Sequence, residues 1–135
     1  MLLISPWKIK LDRSTGFPFD QANEIQIANP TGFLAHKILI QDRRRRTKFA
    51  KDILYIHDTL DLFGKRLPEL NDQWKRQIKF GLHQKIVRKI EHRAARTFQE
   101  VNDAIREAAQ MATIRQISPE SIRELCHFGL KRVFS

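Results

Sequence analysis

A single cysteine, Cys126, is all the thiol this chain carries. An intrachain disulfide is therefore excluded, and a reducing, cytoplasmic setting is expected, because disulfide-stapled folds belong to oxidising compartments. Long apolar runs are missing as well. The opening Met1-Leu2-Leu3-Ile4 is too short for a secretory signal and has no basic flank before it. No stretch approaches the roughly 20 apolar residues of a membrane span, so no membrane partner is expected. Glycine occurs five times, at 16, 32, 64, 81 and 129, and never clusters, which leaves no Gly-rich loop to cradle a phosphate. The sequence also contains no D-x-D, the strand pattern that sets two carboxylates on one face for two-metal phosphoryl or nucleotidyl transfer. The histidines His36, His57, His83, His92 and His127 include no i, i+4 pair on one helix and no nearby Cys pair. A zinc site is not expected, and each His reads as a surface or boundary residue. Cys126 reads as a small buried hydrophobe.

What is present suits one domain over residues 1–135, with 41% hydrophobic and 30% charged residues. That is enough for a moderate core, and disorder is not expected. The net charge is +10, and its placement matters more than its size. Residues 1–42 hold four basic and four acidic residues, and residues 97–135 hold five of each. The excess lies between, at +3 over 43–64 and +7 over 65–96. A field concentrated in this way attracts polyanions, so nucleotide phosphates or nucleic acid are candidate partners. A solvated basic helix face, or one that meets an acidic protein, is the other reading of the same charge.

The expected fold is α+β and mainly α. Trp7-Lys8-Ile9-Lys10-Leu11 and Glu24-Ile25-Gln26-Ile27 alternate apolar and polar residues. They predict a short N-terminal β-hairpin or sheet edge within residues 1–30. Residues 31–135 predict a bundle of about four or five helices. Asn29-Pro30 is a cap followed by a first-position proline and opens a helix over 31–41. Phe49, Ile53, Ile56, Leu60 and Phe63 form one helical stripe, which Gly64 is placed to end. From Asn71 to Ala112 apolar residues follow at steps of three or four, which predicts one long helix or two, with Gly81 a candidate kink. Ser118-Pro119-Glu120 starts a last helix that should end near Gly129, with Leu130, Val133 and Phe134 docking the tail.

The polar feature that stands out is Arg43-Arg44-Arg45-Arg46, followed by Lys48 and Lys51. Such a run either grips phosphates by bidentate hydrogen bonds or sits as a solvated junction at a helix end. Aromatic residues are not interleaved with it. Phe49 falls on the core stripe, Tyr55 is the nearest stacker, and a base-stacking platform is not supported. Asp12 closes the first predicted strand and is either a catalytic carboxylate or a turn former before Arg13-Ser14-Thr15-Gly16.

The segment from Asn29-Pro30-Thr31-Gly32-Phe33-Leu34-Ala35-His36-Lys37 through the basic run to Lys51-Asp52 resembles the minimal nucleotidyltransferase superfamily. It is most similar to the abortive-infection toxin-like branch. There a strand leads into a helix bearing a lysine, then an Arg-containing turn, then a helix opening with Lys-Asp or Arg-Asp. The resemblance covers roughly residues 7–64. It implies that this region lines a nucleotide site, with Lys37 and Lys51 facing phosphates and Asp52 orienting one of them or a substrate group; Arg43 and Arg44 of the basic run are the further substrate-binding candidates. The family's N-terminal Gly-Ser motif and D-x-D pair are absent. The resemblance therefore implies the C-terminal, substrate-binding part of such a protein, inactive alone. Magnesium with a nucleoside triphosphate would bind only if a partner supplied the missing carboxylates. The alternatives are a basic helical nucleic-acid-binding module, or a protein-partner module of the toxin–antitoxin kind whose 71–112 helix provides the interface.

Overall fold

The computed structural model describes residues 7–11, 23–27 and 29–135; for the first two stretches it describes the backbone alone. Trp7–Leu11 (β1) and Asn23–Ile27 (β2) run antiparallel, with Trp7 opposite Ile27 and Ile9 opposite Ile25. Six helices follow: α1 (Pro30–Leu39), α2 (Arg46–Phe63), α3 (Leu67–Gln73), α4 (Gln84–Arg96), α5 (Asp103–Met111) and α6 (Pro119–Val133).

The α+β class expected from the sequence is corrected by this arrangement. From Asn29 to Ser135 there is no strand, and the body of the protein is built by five helices of nine or more residues and the seven-residue α3. No third strand lies beside β1 and β2 among the described residues, so the expected sheet edge is absent. The physical reason is that two five-residue runs satisfy only each other's backbone. A sheet that acts as a layer needs more strands than that.

Local chemistry accounts for most helix boundaries. Asn29 Oδ1 accepts from the Thr31 amide at 2.8 Å, and Pro30 occupies the first helical position, where its missing N–H costs nothing. Ser118 Oγ accepts from the Ser121 amide at 3.1 Å, ahead of Pro119 and Glu120. Gly64 ends α2 at φ +42°, a conformation that favours glycine. On α2, Ile53, Ile56 and Leu60 are fully buried, while Phe49 and Phe63 lie half-buried at the ends of the stripe.

Two boundaries differ from expectation. Residues 71–112 are neither one helix nor two. A π-helical turn at Trp74–Ile78 and a 3-10 turn at Lys79–Gly81 lead to an extended Leu82, and a second interruption at 97–102 separates α4 from α5. Asn102 restarts the chain by accepting from the Ile105 amide at 2.9 Å. Helix α6 runs past Gly129 to Val133. Gly129 is buried inside it because a Cβ there would lie 2.8 Å from both methyls of Leu60. The missing side chain lets α6 approach α2.

The core lies between these helices, around Trp74, Phe98, Ile90, Ile105, Ile122 and Leu130. The C-terminal tail closes it, with Phe134 meeting Trp74 edge to face at 4.9 Å between centroids. Asn71 Nδ2 donates to the Val133 carbonyl at 2.8 Å, which satisfies one of the free carbonyls at the end of α6. Thr31 Oγ1 donates to the Leu70 carbonyl at 3.1 Å and ties the start of α1 to α3. Cys126 is fully buried, and burial pushes its thiol far above the ordinary value.

Candidate functional site

The most concentrated polar constellation joins α1, the turn after it and α2. Lys37 lies in the last turns of α1. A 3-10 turn at Gln41–Arg43 then reverses the chain into extended backbone at Arg44. Asp52 lies in the second turn of α2 and points inward. Its position relative to Ala50, Ile53 and Ile56 places it on the buried side, and it is 0% exposed.

Two cations meet this buried carboxylate. Lys37 Nζ donates to Asp52 Oδ1 at 2.8 Å. Arg44 Nε donates to Oδ2 at 2.9 Å, and its Nη2 donates to Oδ1 at 3.3 Å. Both carboxylate oxygens are engaged, so Asp52 orients its partners. Burying a carboxylate is tolerable only when it is paired and hydrogen-bonded in this way. Two positive charges against one negative leave the cluster with one net positive charge.

The Lys37 ammonium also lies 5.5 Å from the centroid of the Phe33 ring and 5.3 Å from that of Tyr55, so two aromatic faces share its charge. Its side chain is 14% exposed, and that of Arg44 is 30% exposed. A guanidinium carries five N–H donors. Asp52 takes one from Nε and one from Nη2, which leaves the Nη1 pair and one Nη2 hydrogen for a ligand. Beside the cluster, burial and then the positive charges of Lys37 and Arg44 lower the pKa of His36.

The turn carrying Arg44 is held from outside by α4. Arg93 Nη1 donates to the Ile38 carbonyl at 3.1 Å and to the Leu39 carbonyl at 2.9 Å, capping the C-terminus of α1. Its Nη2 donates to Asp42 at 3.1 Å, and this hydrogen bond holds the Asp42 carboxyl below its ordinary value. Thr97 adds a hydrogen bond to the Gln41 side chain at 3.1 Å.

Of the residues singled out in the sequence, Lys37, Arg44 and Asp52 are brought together. Arg43 and Lys51 are not: both are exposed, and neither has a side-chain partner among the described residues. Lys51 precedes Asp52 on the same helix and so points about 100° away from it. It lines a shallow depression of about 360 Å³ with Leu54, Tyr55, Asp58, Met111 and Arg115. Asp12 lies outside the described residues. Phe33 as a neighbour of Lys37, and Arg93 as the clamp on the turn, were not legible as site residues. Arg93 meets Asp42 across 51 positions of sequence, and no local pattern encodes that meeting.

The described residues contain no group of three His, Cys, Asp or Glu side chains able to hold a metal ion. With both oxygens of Asp52 taken by cations, this cluster does not fit a magnesium pair. No helix among the described residues is long and apolar enough to cross a membrane.

Comparison with known families matches residues 1–79 to a family model described as nucleotidyltransferase. No curated protein and no solved structure matches the chain.

Proposed function

Because this chain belongs to the nucleotidyltransferase family, we propose that Lys37 and Arg44 form a phosphate-binding wall for its nucleotide substrate. Asp52 serves as the buried strut that fixes both. The observation that carries this reading is the shared carboxylate: one fully buried Asp52 aligns an ammonium and a guanidinium within 2.8–3.3 Å while both cations keep exposed surface. Lysine supplies a point charge and arginine a planar fork, a pair suited to neighbouring phosphate oxygens. Arg43, on the exposed side of the same turn, adds long-range attraction.

In this reading the chain binds and orients substrate, and its described residues do not perform the transfer. Two-metal nucleotidyl transfer needs closely placed carboxylates, and the only acid in the cluster is saturated. Transfer then depends on carboxylates from outside this cluster. The motif from Asn29 to Asp52 resembles the abortive-infection toxin-like branch of that superfamily.

Titration of a nucleoside triphosphate by calorimetry tests the reading. Lys37→Met and Arg44→Gln, each leaving Asp52 one cation, are expected to weaken binding about tenfold, which corresponds to about 1.4 kcal/mol. Lys65→Met, on the exposed turn after α2, should change nothing. Wild-type affinity in both site variants, with unchanged melting, would remove the proposal.

A further inference from the structure

Helix α4 carries five cations, Lys85, Arg88, Lys89, Arg93 and Arg96, against the single acid Glu91. The two faces of the helix divide sharply. Val87, Ile90 and Ala94 are buried, whereas Lys85, Arg88, Lys89, His92 and Arg96 are exposed. At about 100° per residue, these five exposed positions fall within an arc of roughly 100° opposite the buried stripe. From Lys85 to Arg96 the arc runs about 16 Å along the helix.

No acid lies on this arc. Glu91 is on one flank, where it accepts from Trp74 Nε1 at 3.1 Å and from Lys79 Nζ at 3.2 Å. Arg93 is on the other flank, bound to α1 and Asp42. Lys85, Arg88 and Arg96 have no ion-pair partner among the described residues, and Lys89 reaches Asp42 only at 4.0 Å. A row of unneutralised cations held together at this density repels itself unless an anion compensates it.

We propose that this face of α4 binds the phosphate backbone of a nucleic-acid duplex. Charge complementarity points to a polyanion. The helix carries no Phe, Tyr or Trp, and His92 is the single ring on the exposed face, so it offers no platform on which successive bases could stack. Contacts of this kind position a duplex without reading its sequence. Through Arg93 the face abuts the turn that carries Arg43 and Arg44, so a bound duplex would lie beside the nucleotide site. The proposal stands on α4 alone and survives if Lys37 and Arg44 bind no nucleotide.

Fluorescence anisotropy with a short DNA duplex over a range of salt concentrations tests it. The four cations Lys85, Arg88, Lys89 and Arg96 predict a slope of log affinity against log salt of about −3 to −4. Lys85→Gln combined with Arg88→Gln should weaken binding roughly tenfold and flatten the slope by about two. The pair Lys131→Gln and Arg132→Gln on α6 removes the same charge elsewhere on the exposed surface and should have a much smaller effect. Equal loss in both pairs would show attraction to net charge only and overturn the assignment. So would unchanged binding in the α4 pair, tighter binding of single-stranded DNA, or capture of anionic lipid vesicles with no binding of duplex.

Discussion

Lys37 and Asp52 lie on different helices, 15 positions apart, and meet at 2.8 Å with the carboxylate wholly out of solvent. Because Arg44 binds the same carboxylate, α1, the turn and α2 share a single electrostatic joint. Its weak point is the acid, since either cation can be lost without leaving a bare buried charge.

Asp52→Ala is therefore expected to be the costliest change in the cluster. It leaves two facing cations with no counter-charge, and breaking a buried pair in this way costs about 3–5 kcal/mol. Lys37→Met should cost clearly less, because Arg44 still satisfies Asp52. Urea unfolding of the two variants beside the parent measures the difference; equal losses would contradict the shared-joint picture.

Arg93→Gln should reach the site from outside. It removes the donors to the Ile38 and Leu39 carbonyls and the link to Asp42. A loss of about 1–2 kcal/mol in stability is expected from these charge-assisted hydrogen bonds. Nucleotide affinity should fall severalfold with it as the Arg44 turn loosens. Calorimetry and chemical denaturation on the same sample separate the two effects.

Gly129→Ala sets two opposed contributions against each other. Alanine is favoured over glycine in a helix by about 1 kcal/mol, but its Cβ would meet the fully buried Leu60 methyls at 2.8 Å. Overpacking of this kind costs about 1–3 kcal/mol, so a net loss of roughly 1 kcal/mol is expected. Adding Leu60→Ala should give less than the sum of the single losses, and a double-mutant cycle reads this directly.

Stability should fall on mild acidification. Burial lowers the folded-state pKa of both His36 and His127 below the ordinary 6.5. A histidine whose folded pKa is depressed favours folding above its unfolded pKa, and the benefit disappears as pH falls through the folded value. Unfolding free energy should therefore decrease as pH drops from about 7.5 to 5, and His36→Gln combined with His127→Gln should flatten that slope. An unaltered slope in the double variant would place the dependence on other groups.

Local signals carried the reading of the sequence where the chemistry itself is local. Asn29-Pro30, Ser118-Pro119 and Gly64 act through their nearest neighbours, and the structure uses all three as helix boundaries. The stretch 71–112 misled because steps of three and four persist across breaks. Ile86 fits the running pattern yet is exposed, while Val87, one position on, is buried: the extended residue at Leu82 resets which face turns inward. The α+β expectation gives the weight of a layer to two short alternating runs, Trp7 to Leu11 and Glu24 to Ile27.

At the candidate site, family likeness singles out Lys37 and Asp52, whereas four consecutive arginines look alike in sequence. Only the extended backbone after Gln41–Arg43 decides that Arg44 turns to Asp52 and Arg43 to solvent. Lys51 and Asp52 were read as one motif, although adjacent helical residues cannot face the same point.

The sealed thiol of Cys126 gives this protein a built-in clock. A protonated, inaccessible sulfur does not react with alkylating reagents, and burial both hides it and keeps its proton on. Because it is the only cysteine in the chain, any labelling must wait until α6 comes away from the core. With reagent concentrated enough that alkylation outpaces reclosing, the labelling rate times the opening of the native state, with no introduced probe and no background from a second thiol.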